Sequence, residues 1–442
     1  MLGLFILILS IILFFNPKYR AISYLIFLGF ISGSYFGYNI LIDKIIGFKN
    51  PDLALIYALI ILCYFIHKGL FYPKILCVKY AFLLMLFTII SCLFSYFYYE
   101  FTLFQVIQGA RQLLLVICLF IFIQIDAKEF TIIFKWLFKI TLITSIIYIF
   151  QIIVGQPLMP YPYEYKLDAT TGLVRLYNLP PYTLFYLVLC FVHPTFFGKK
   201  VLLYKAILLT AIILTLGRTT IITSILTIIL ALILSGNATK ALKSIFIIGL
   251  LLLPLTNLIS NRFTKGETSE DFKAVLRGDW MDTSSRKFDG TLTYRMAWVY
   301  ERVNYLAHRP LAEQFFGLGM ISDSQPIVKK MYDFNIGFFD EEKGEIVQLY
   351  TGDNAYGNII VKYGFLGGAI YLTMLASLII FFYRRRRISP FFSTCAAILI
   401  MKLFLSLSGA ELSKIHSFAL YFIIIGAYCS TIKFPKHITH KA

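Results

Sequence analysis

The strongest constraint on the fold of this chain is a series of apolar runs, most of them 15 to 25 residues long, that recurs along the sequence. About 20 apolar residues in a helix cross the hydrocarbon core of a bilayer, so each run is a candidate span. Because backbone in lipid must bond to itself, the spans should be helices. The pattern predicts an all-α polytopic membrane protein with about 12–13 transmembrane helices. The runs lie near residues 2–15, 21–42, 52–67, 80–98, 104–124, 140–154, 181–197, 202–217, 219–235, 242–258, 358–382, 390–408 and 415–432.

The short connections between the runs carry an uneven charge. The chain has a formal net charge of +18, and the residues outside 260–357 include 29 basic and 8 acidic side chains. Most of these basic residues fall in alternate connections, which is the positive-inside pattern of a membrane protein and not a nucleic-acid surface. We expect those connections to be cytoplasmic and residues 260–357 to lie on the opposite, periplasmic side.

One long polar stretch, residues 260–357, interrupts the membrane pattern. It holds 15 acidic and 12 basic residues and none of the seven cysteines, so we expect a lid over a membrane-level cleft and not an independent enzyme. The cysteines imply no disulfide framework, and the six scattered histidines have no metal-ligand spacing. The predicted division is residues 1–259 with about ten spans, residues 260–357 as a large periplasmic loop, and residues 358–442 with about three spans and a short cytoplasmic tail.

Arg218 occupies the tightest turn between two runs. Residues Val201 to Gly236 must form two spans around Gly217-Arg218, which leaves about 16 residues, or roughly 24 Å, for each span. A hydrocarbon core is about 30 Å thick, so Arg218 should lie sunken at the outer membrane level. An ionisable side chain there indicates a functional site, and the alternative is an arginine that snorkels from a helix end.

Four further cations are placed on the outer side of the membrane by the same topology. Arg111, Lys362 and Lys402 fall in the outer parts of predicted spans, where each could instead pair with a neighbouring acid or carbonyl. Arg175 lies in the outer connection Gly155 to Pro181. The prolines and tyrosines of that connection suit a stiff surface that stacks on sugars, but they are equally ordinary in an aromatic belt. With Arg218, these cations predict an outer-leaflet anion site, because a guanidinium can bind phosphate through two parallel hydrogen bonds.

Residues 291–308 of the polar stretch have helical periodicity. Arg295 and Arg302 share the side of Val299, so both could reach a substrate. The alternative is a surface helix with solvated charges. Its apolar positions are Met296, Val299, Val303 and Leu306.

Asp353-Asn354 directly precedes an apolar run. The carboxylate could orient or deprotonate a sugar hydroxyl at the membrane surface. The alternative is a helix N-cap, in which the side chain accepts backbone N–H groups. Gly364 and Gly367, further along the same run, predict close helix packing.

Four stretches, in this order, resemble the O-antigen polymerase and O-antigen ligase superfamily of Wzy-type membrane glycosyltransferases. The resemblance implies a GT-C-like fold in the bacterial inner membrane and an undecaprenyl-pyrophosphate-linked oligosaccharide as the donor. It also implies an outer-leaflet active site with no nucleotide sugar, no cofactor and no catalytic metal. The stretches are Gly172-Leu-Val-Arg175 through Pro181, Thr215-Leu-Gly-Arg218-Thr-Thr, Tyr294-Arg295-Met-Ala-Trp298 running to Arg309-Pro310 and Gly317-Leu-Gly319, and Asp353-Asn354 followed by Gly364-x-x-Gly367.

One position departs from part of this family. Ligases typically have histidine before the asparagine, where this chain has Asp353, and the difference favours a polymerase of lipid-linked repeat units. A ligase that transfers glycan to lipid A core and a flippase remain the alternatives. Expected partners are the lipid-linked oligosaccharide, membrane lipid and a chain-length regulator, with no nucleic acid. The expected catalytic residues are Asp353, Arg218 and Arg295, and the expected substrate contacts are Arg175, Asn354, Arg111, Lys402, Arg302 and Tyr356.

Overall fold

The computed structural model describes the chain from residue 2 to residue 433 with several gaps. The described residues are 2–32, 49–69, 74–159, 166–167, 172–176, 179–236, 238–253, 268–283, 291–322, 325–340, 344–349, 354–407, 409 and 411–433. The helices before the polar stretch are α1 (Leu2–Phe15), α2 (Arg20–Ile31), α3 (Asn50–His67), α4 (Leu76–Phe97), α5 (Leu103–Leu114), α6 (Ile117–Phe122), α7 (Ala127–Val154), α8 (Thr183–Val192), α9 (Pro194–Phe197), α10 (Val201–Ile213), α11 (Arg218–Leu234) and α12 (Ala238–Leu252).

The polar stretch and the C-terminal part contain the remaining elements. Short 3₁₀ helices cover Gly198–Lys200, Asp279–Met281 and Ile415–Phe418. Two antiparallel hairpins pair β1 (Lys166–Leu167) with β2 (Val174–Arg175) and β3 (Phe338–Asp340) with β4 (Glu345–Val347). The helices are α13 (Thr268–Arg277), α14 (Thr291–Ala307), α15 (Leu311–Phe316), α16 (Pro326–Met331), α17 (Ala355–Arg384), α18 (Pro390–Leu405) and α19 (Ala419–Lys433).

The predicted all-α polytopic class is confirmed. Among the described residues, five helical segments are at least 18 residues long and apolar enough to cross a membrane. The other apolar helices have 10 to 17 residues, so the predicted number of spans stays a prediction. The five segments are Asn50–His67, Leu76–Phe97, Leu103–Phe122, Ala127–Val154 and Ala355–Arg384.

Contacts join the ends of helices at two faces of the described part of the chain. On one face, Arg20 at the start of α2 lies 3.5 Å from the carboxylate of Glu129 in α7, and the backbone N–H of Ala127 donates to Ser430 in α19. On the other face, Arg111 of α5 lies 3.5 Å from Asp52 in the first turn of α3. The first face is the one with the basic connections. Which face is cytoplasmic stays a prediction.

The polar stretch does not stand apart from the membrane helices. Trp298 of α14 lies against Gly357 in the first turn of α17. The segment after α15 runs between α4, α5 and α17, where Leu318 N–H donates to Val361 O over 2.8 Å and Met320 N–H donates to Ser95 Oγ over 2.9 Å. Residues 313–321, here called the docking segment, therefore contact α17 at Val361, six residues after its first residue, Ala355.

A break in α17 makes this contact possible. Gly364 has φ 65° and ψ −171°, so α17 is two helical pieces joined at a kink, whereas the sequence predicted only close packing at this glycine. The carbonyl of Val361 accepts its hydrogen bond from the docking segment. Polar backbone at membrane depth must find partners within the protein, and Leu318 supplies one here.

Candidate functional site

The turn before α11 places Arg218 between two apolar helices, as the sequence predicted. Helix α10 ends at Ile213, Leu216 adopts a left-handed φ of 55°, and Gly217 is the N-cap residue, so Arg218 is the first residue of α11. With 13 and 17 residues, α10 and α11 are about 20 and 26 Å long. Both are shorter than a hydrocarbon core of about 30 Å. Arg218 is half-buried, and its depth at the outer membrane level stays a prediction.

Arg175 belongs to the same corner of the molecule. It lies in β2, opposite Lys166 of β1, and is half-buried. Its buried neighbours Val174 and Leu176 form a small apolar cluster with residues that include Tyr148 of α7 and Leu214 after α10. The hydroxyl of Tyr148 donates to Leu176 O over 2.9 Å. The strand of Arg175 is thus fixed beside the turn that leads to Arg218.

Helix α14 matches the predicted helix to within one residue, but its buried face differs from the predicted one. Val299 and Val303, expected on the apolar side, are half-buried. The face turned inward includes polar and charged residues because it packs on the rest of the loop and on α17. Its fully buried residues are Thr293, Ala297, Trp298, Arg302 and Leu306.

Asp271 of α13 holds the start of α14 and lies near Arg295. Its carboxylate accepts hydrogen bonds from Leu292 N–H at 2.8 Å and from Thr293 N–H at 2.9 Å. Burial works to raise the pKa of Asp271, but these hydrogen bonds and the positive charge of Arg295 outweigh it and bring the pKa below its ordinary value. Arg295 is half-buried and stands one helical turn before Trp298, close to the start of α17.

Arg302 lies inside the loop, and not on a surface shared with Arg295 as the sequence predicted. It is 1% exposed, and its guanidinium lies between the rings of Trp298 and Phe334, at 4.6 and 4.4 Å from their centroids. It pairs with Glu301 at 2.7 Å and donates to Gln348 O at 3.1 Å. The predicted substrate contact at Arg302 stays a prediction, and these contacts favour a structural role.

Asn354 is the N-cap of α17. Its side-chain oxygen accepts from Gly357 N–H at 3.0 Å, and its amide donates to Leu407 O at 2.9 Å. The cap is therefore this amide and not a carboxylate. Asp353 lies outside the described residues.

The last turn of α18 is hydrogen-bonded to the start of α17. Tyr356 donates from its hydroxyl to Leu403 O over 2.8 Å, and Ala355 N–H donates to Ser406 O over 3.2 Å. Lys402 stands in the last turn of α18, next to these contacts. Helix α18 thus packs against both α11 and α17.

Two predicted anion contacts have partners within the protein. Arg111 pairs with Asp52, and Lys362 donates to Ile321 O in the docking segment. Both follow the alternative that the sequence left open for them. Their roles as substrate contacts stay predictions.

The fold is thus that of a polytopic membrane protein with a large polar loop docked on one face. Residues 203–372 match the family model described as O-antigen ligase. This match agrees with the predicted resemblance to the O-antigen polymerase and ligase superfamily over these residues. The matched range includes Arg218, Arg295 and Asp353-Asn354, but not Arg175, Arg111 or Lys402. No curated protein matches the chain.

Proposed function

We propose that the chain is an O-antigen polymerase that joins undecaprenyl-pyrophosphate-linked repeat units at the outer leaflet. The observation that carries this proposal is that Arg218 is the first residue of a 17-residue helix and that the strand of Arg175 is fixed beside the turn leading to it. The predicted topology puts this corner at the outer membrane level. Cations at that level suit the diphosphate of a lipid-linked sugar, which stands at the boundary between headgroups and hydrocarbon. The family match over residues 203–372 supports the same class of substrate.

The proposed reaction transfers the growing glycan from its lipid to the next repeat unit. A sugar hydroxyl of the incoming unit attacks the anomeric carbon of the growing chain. A new C–O bond forms there, and the bond from that carbon to the pyrophosphate oxygen breaks. The hydroxyl proton passes to the Asp353 carboxylate, and the electron pair leaves with undecaprenyl pyrophosphate. No metal is needed in this scheme, because pre-placed cations stabilise the leaving charge.

Arg218 and Arg295 are assigned to the leaving pyrophosphate, with Arg175 beside them. Arg218 approaches from the membrane helices, whereas Arg295 approaches from the loop, one turn from the Trp298 contact with α17. The docked loop would thus complete a site whose other half lies on α11. Asn354 positions the segment through its cap and its bond to Leu407 O.

Asp353 favours a polymerase over a ligase. A ligase remains the second candidate, because the family model that matches residues 203–372 is described as O-antigen ligase. A flippase has no support from this match. Localisation in the bacterial inner membrane and a chain-length regulator as partner belong to the polymerase proposal.

The product left after gene deletion tests the proposal. Loss of a polymerase should leave repeat units that are made, flipped and ligated singly, so that surface polysaccharide shows one repeat per core. Polymer retained on undecaprenyl pyrophosphate would identify a ligase instead, and units trapped inside the cell would identify a flippase. Complementation with Asp353→Asn should reproduce the single-repeat pattern with protein present in the membrane. A normal ladder from this variant would remove Asp353 from the mechanism.

A further inference from the structure

Helix α13 of the polar loop has an apolar face that no other described part of the chain covers. Phe272 and Leu276 stand four residues apart on one side of this helix and are 57% and 72% exposed. Met281, in the 3₁₀ helix that follows, is 54% exposed. Exposed apolar side chains are expected on membrane helices, but these three belong to the polar stretch. A cluster of this kind on an otherwise polar element indicates an interaction surface.

The other two sides of α13 have different surroundings. Its inward side includes Asp271 and Ala274, both of which are buried, and Asp271 holds the start of α14. Its third side is charged, because Lys273 and Arg277 are exposed there and each pairs with an acid, at 2.7 and 2.9 Å. A helix with a protein-facing side, an apolar side and a charged side is suited to lie in the plane of a membrane surface.

The length of α17 shows where the loop meets the bilayer. Helix α17 has 30 residues and is about 45 Å long, which matches a bilayer with its headgroups, about 40–45 Å. It ends at Arg384, the first of four consecutive arginines, which stay at the opposite membrane surface. The first turn of α17 therefore reaches the headgroup layer. Gly357 in this turn contacts Trp298, so α14 passes through the same layer.

The contact between α13 and α14 brings the apolar face close to that level. The two N–H groups that Asp271 accepts from belong to Leu292 and Thr293, which lie five and six residues before Trp298. This separation is about 9 Å along the helix. The apolar face of α13 is also small, since three side chains supply far less than the roughly 800 Å² that a specific protein partner covers. Lipid fits the face better than a second protein.

We propose that α13 is an interfacial anchor whose apolar face enters the lipid on the side of the membrane where the loop lies. The face consists of Phe272, Leu276 and Met281, and the charged side of the helix points to water. Such helices insert their apolar side about 5–10 Å into the boundary between headgroups and acyl chains. The hydrogen bonds of Asp271 then connect the lipid surface to the start of α14. The anchor thereby fixes the height of Arg295 above the membrane.

Nitroxide labels on single cysteines measure the depth of each side of α13. The full-length protein, without its native cysteines, is placed in phosphatidylcholine nanodiscs, and label collisions with oxygen are compared with collisions with a water-soluble nickel chelate. Labels at positions 272 and 276 should favour oxygen, which concentrates in lipid, with a severalfold higher collision ratio than at positions 273 and 277. The latter two positions are matched controls on the charged side of the same helix and should favour the nickel chelate.

Each other pattern of accessibility would overturn the anchor. Labels at 272 and 276 that favour the nickel chelate would show a face in water. Labels shielded from both reagents would show a cover of protein, from this chain or from a second copy. The charged side is balanced by its ion pairs, so the depth should be the same in phosphatidylglycerol. Insertion that requires phosphatidylglycerol would mean attraction of basic residues to anionic lipid and not an apolar anchor.

Leu276→Asp tests whether the apolar side chains hold the helix at the membrane. Because Leu276 is exposed, the substitution leaves the inward side of α13 intact, and a label at position 281 should lose its preference for oxygen. Lys273→Asp, which introduces the same acid on the charged side, should leave that label unchanged. An unaltered depth in Leu276→Asp would overturn the anchor. None of these measurements involves sugar transfer, so failure of the polymerase proposal and failure of the anchor are separate outcomes.

Discussion

A Cβ added to Gly357 would stand 2.1 Å from Cζ3 of Trp298, so helix α14 of the loop and the first turn of α17 meet with no space for a side chain between them. Gly357 N–H also donates to the side chain of Asn354, which caps α17. The contact that docks the loop therefore coincides with the cap that follows Asp353. The position of Arg295 relative to that segment depends on this one glycine.

Gly357→Ala should displace Trp298 and loosen the docked loop. Overpacking of this kind typically costs about 1–3 kcal/mol, and the backbone of both helices leaves little room for relief. We expect a lower melting temperature of the purified protein together with a loss of polymer. Gly368→Ala is the control in the same helix, because its added Cβ would meet nothing closer than 3.8 Å. Equal melting temperatures for the two variants would contradict the tight contact.

The sequence predicted the parts of the fold that depend on local pattern. Apolar runs located the membrane helices, and the shortness of two of them located the turn at Arg218. Periodicity predicted helix 291–308, which the structure ends at Ala307. These features depend on hydrogen bonds and side chains close in sequence, so a single chain segment contains the needed information.

Contacts between distant segments were not predicted. The burial of Arg302 depends on Phe334, more than thirty residues away, whereas periodicity placed Arg302 beside Arg295 as a substrate contact, with a solvated face as the alternative. The left-handed φ of Gly364 and the docking segment beside it were also missed. The sequence contained one usable signal, the glycines of the elements that meet. A Cβ on Gly109 would stand 2.5 Å from Ile321 Cα, and one on Gly317 would stand 2.6 Å from Val361 O.

Arg302→Met should destabilise the loop while the space between Trp298 and Phe334 remains filled. The substitution keeps the apolar stem between Trp298 and Phe334 but leaves Glu301 without its cation. Burial already raises the pKa of Glu301, with Arg302 working in the opposite direction, and loss of one partner of a buried pair costs about 3–5 kcal/mol. Arg277→Met, which breaks an exposed pair with Asp279, should cost at most about 1 kcal/mol.

Melting temperatures of these two arginine variants provide the measurement. Arg302→Met should melt well below Arg277→Met. A normal melting temperature combined with loss of polymer would instead support the substrate contact that the sequence predicted for Arg302.

Low pH should weaken the contact between α13 and α14, because the Asp271 carboxylate that holds it becomes protonated. Its folded pKa lies below the ordinary value of about 3.9, so ionised Asp271 stabilises the folded loop above that pH. This contribution is lost as the pH falls through the lowered folded pKa. Asp271→Asn should therefore melt below the wild type at pH 7, and the two curves should converge as the pH falls below about 4. A constant difference in melting temperature between the two proteins across the whole pH range would show that the charge of Asp271 does not stabilise this contact.

The orientation of the chain can be tested by labelling with a membrane-impermeant maleimide in a background without the seven native cysteines. Lys330 is exposed in the loop, and Arg387 is exposed beyond the end of α17. A cysteine at 330 should react in intact cells with a permeabilised outer membrane, and one at 387 should react only after lysis. The reverse pattern would overturn the predicted topology.

Arg218 and Arg295 should not tolerate lysine. A guanidinium offers two parallel N–H donors to one phosphate, whereas an ammonium is a point charge, so each Arg→Lys change keeps the charge and loses the fork. Loss of one pre-placed donor typically lowers the rate by about a hundred- to a thousandfold. We therefore expect Arg218→Lys and Arg295→Lys to fail in chain growth almost as completely as the alanine variants, at normal expression.

The measurement is the rate of polymer formation from lipid-linked repeat units by purified protein. Arg277→Lys, at an exposed site on the same loop, should keep the wild-type rate. Wild-type rates from both lysine variants at Arg218 and Arg295 would show that charge alone is sufficient and would remove bidentate phosphate recognition from the mechanism.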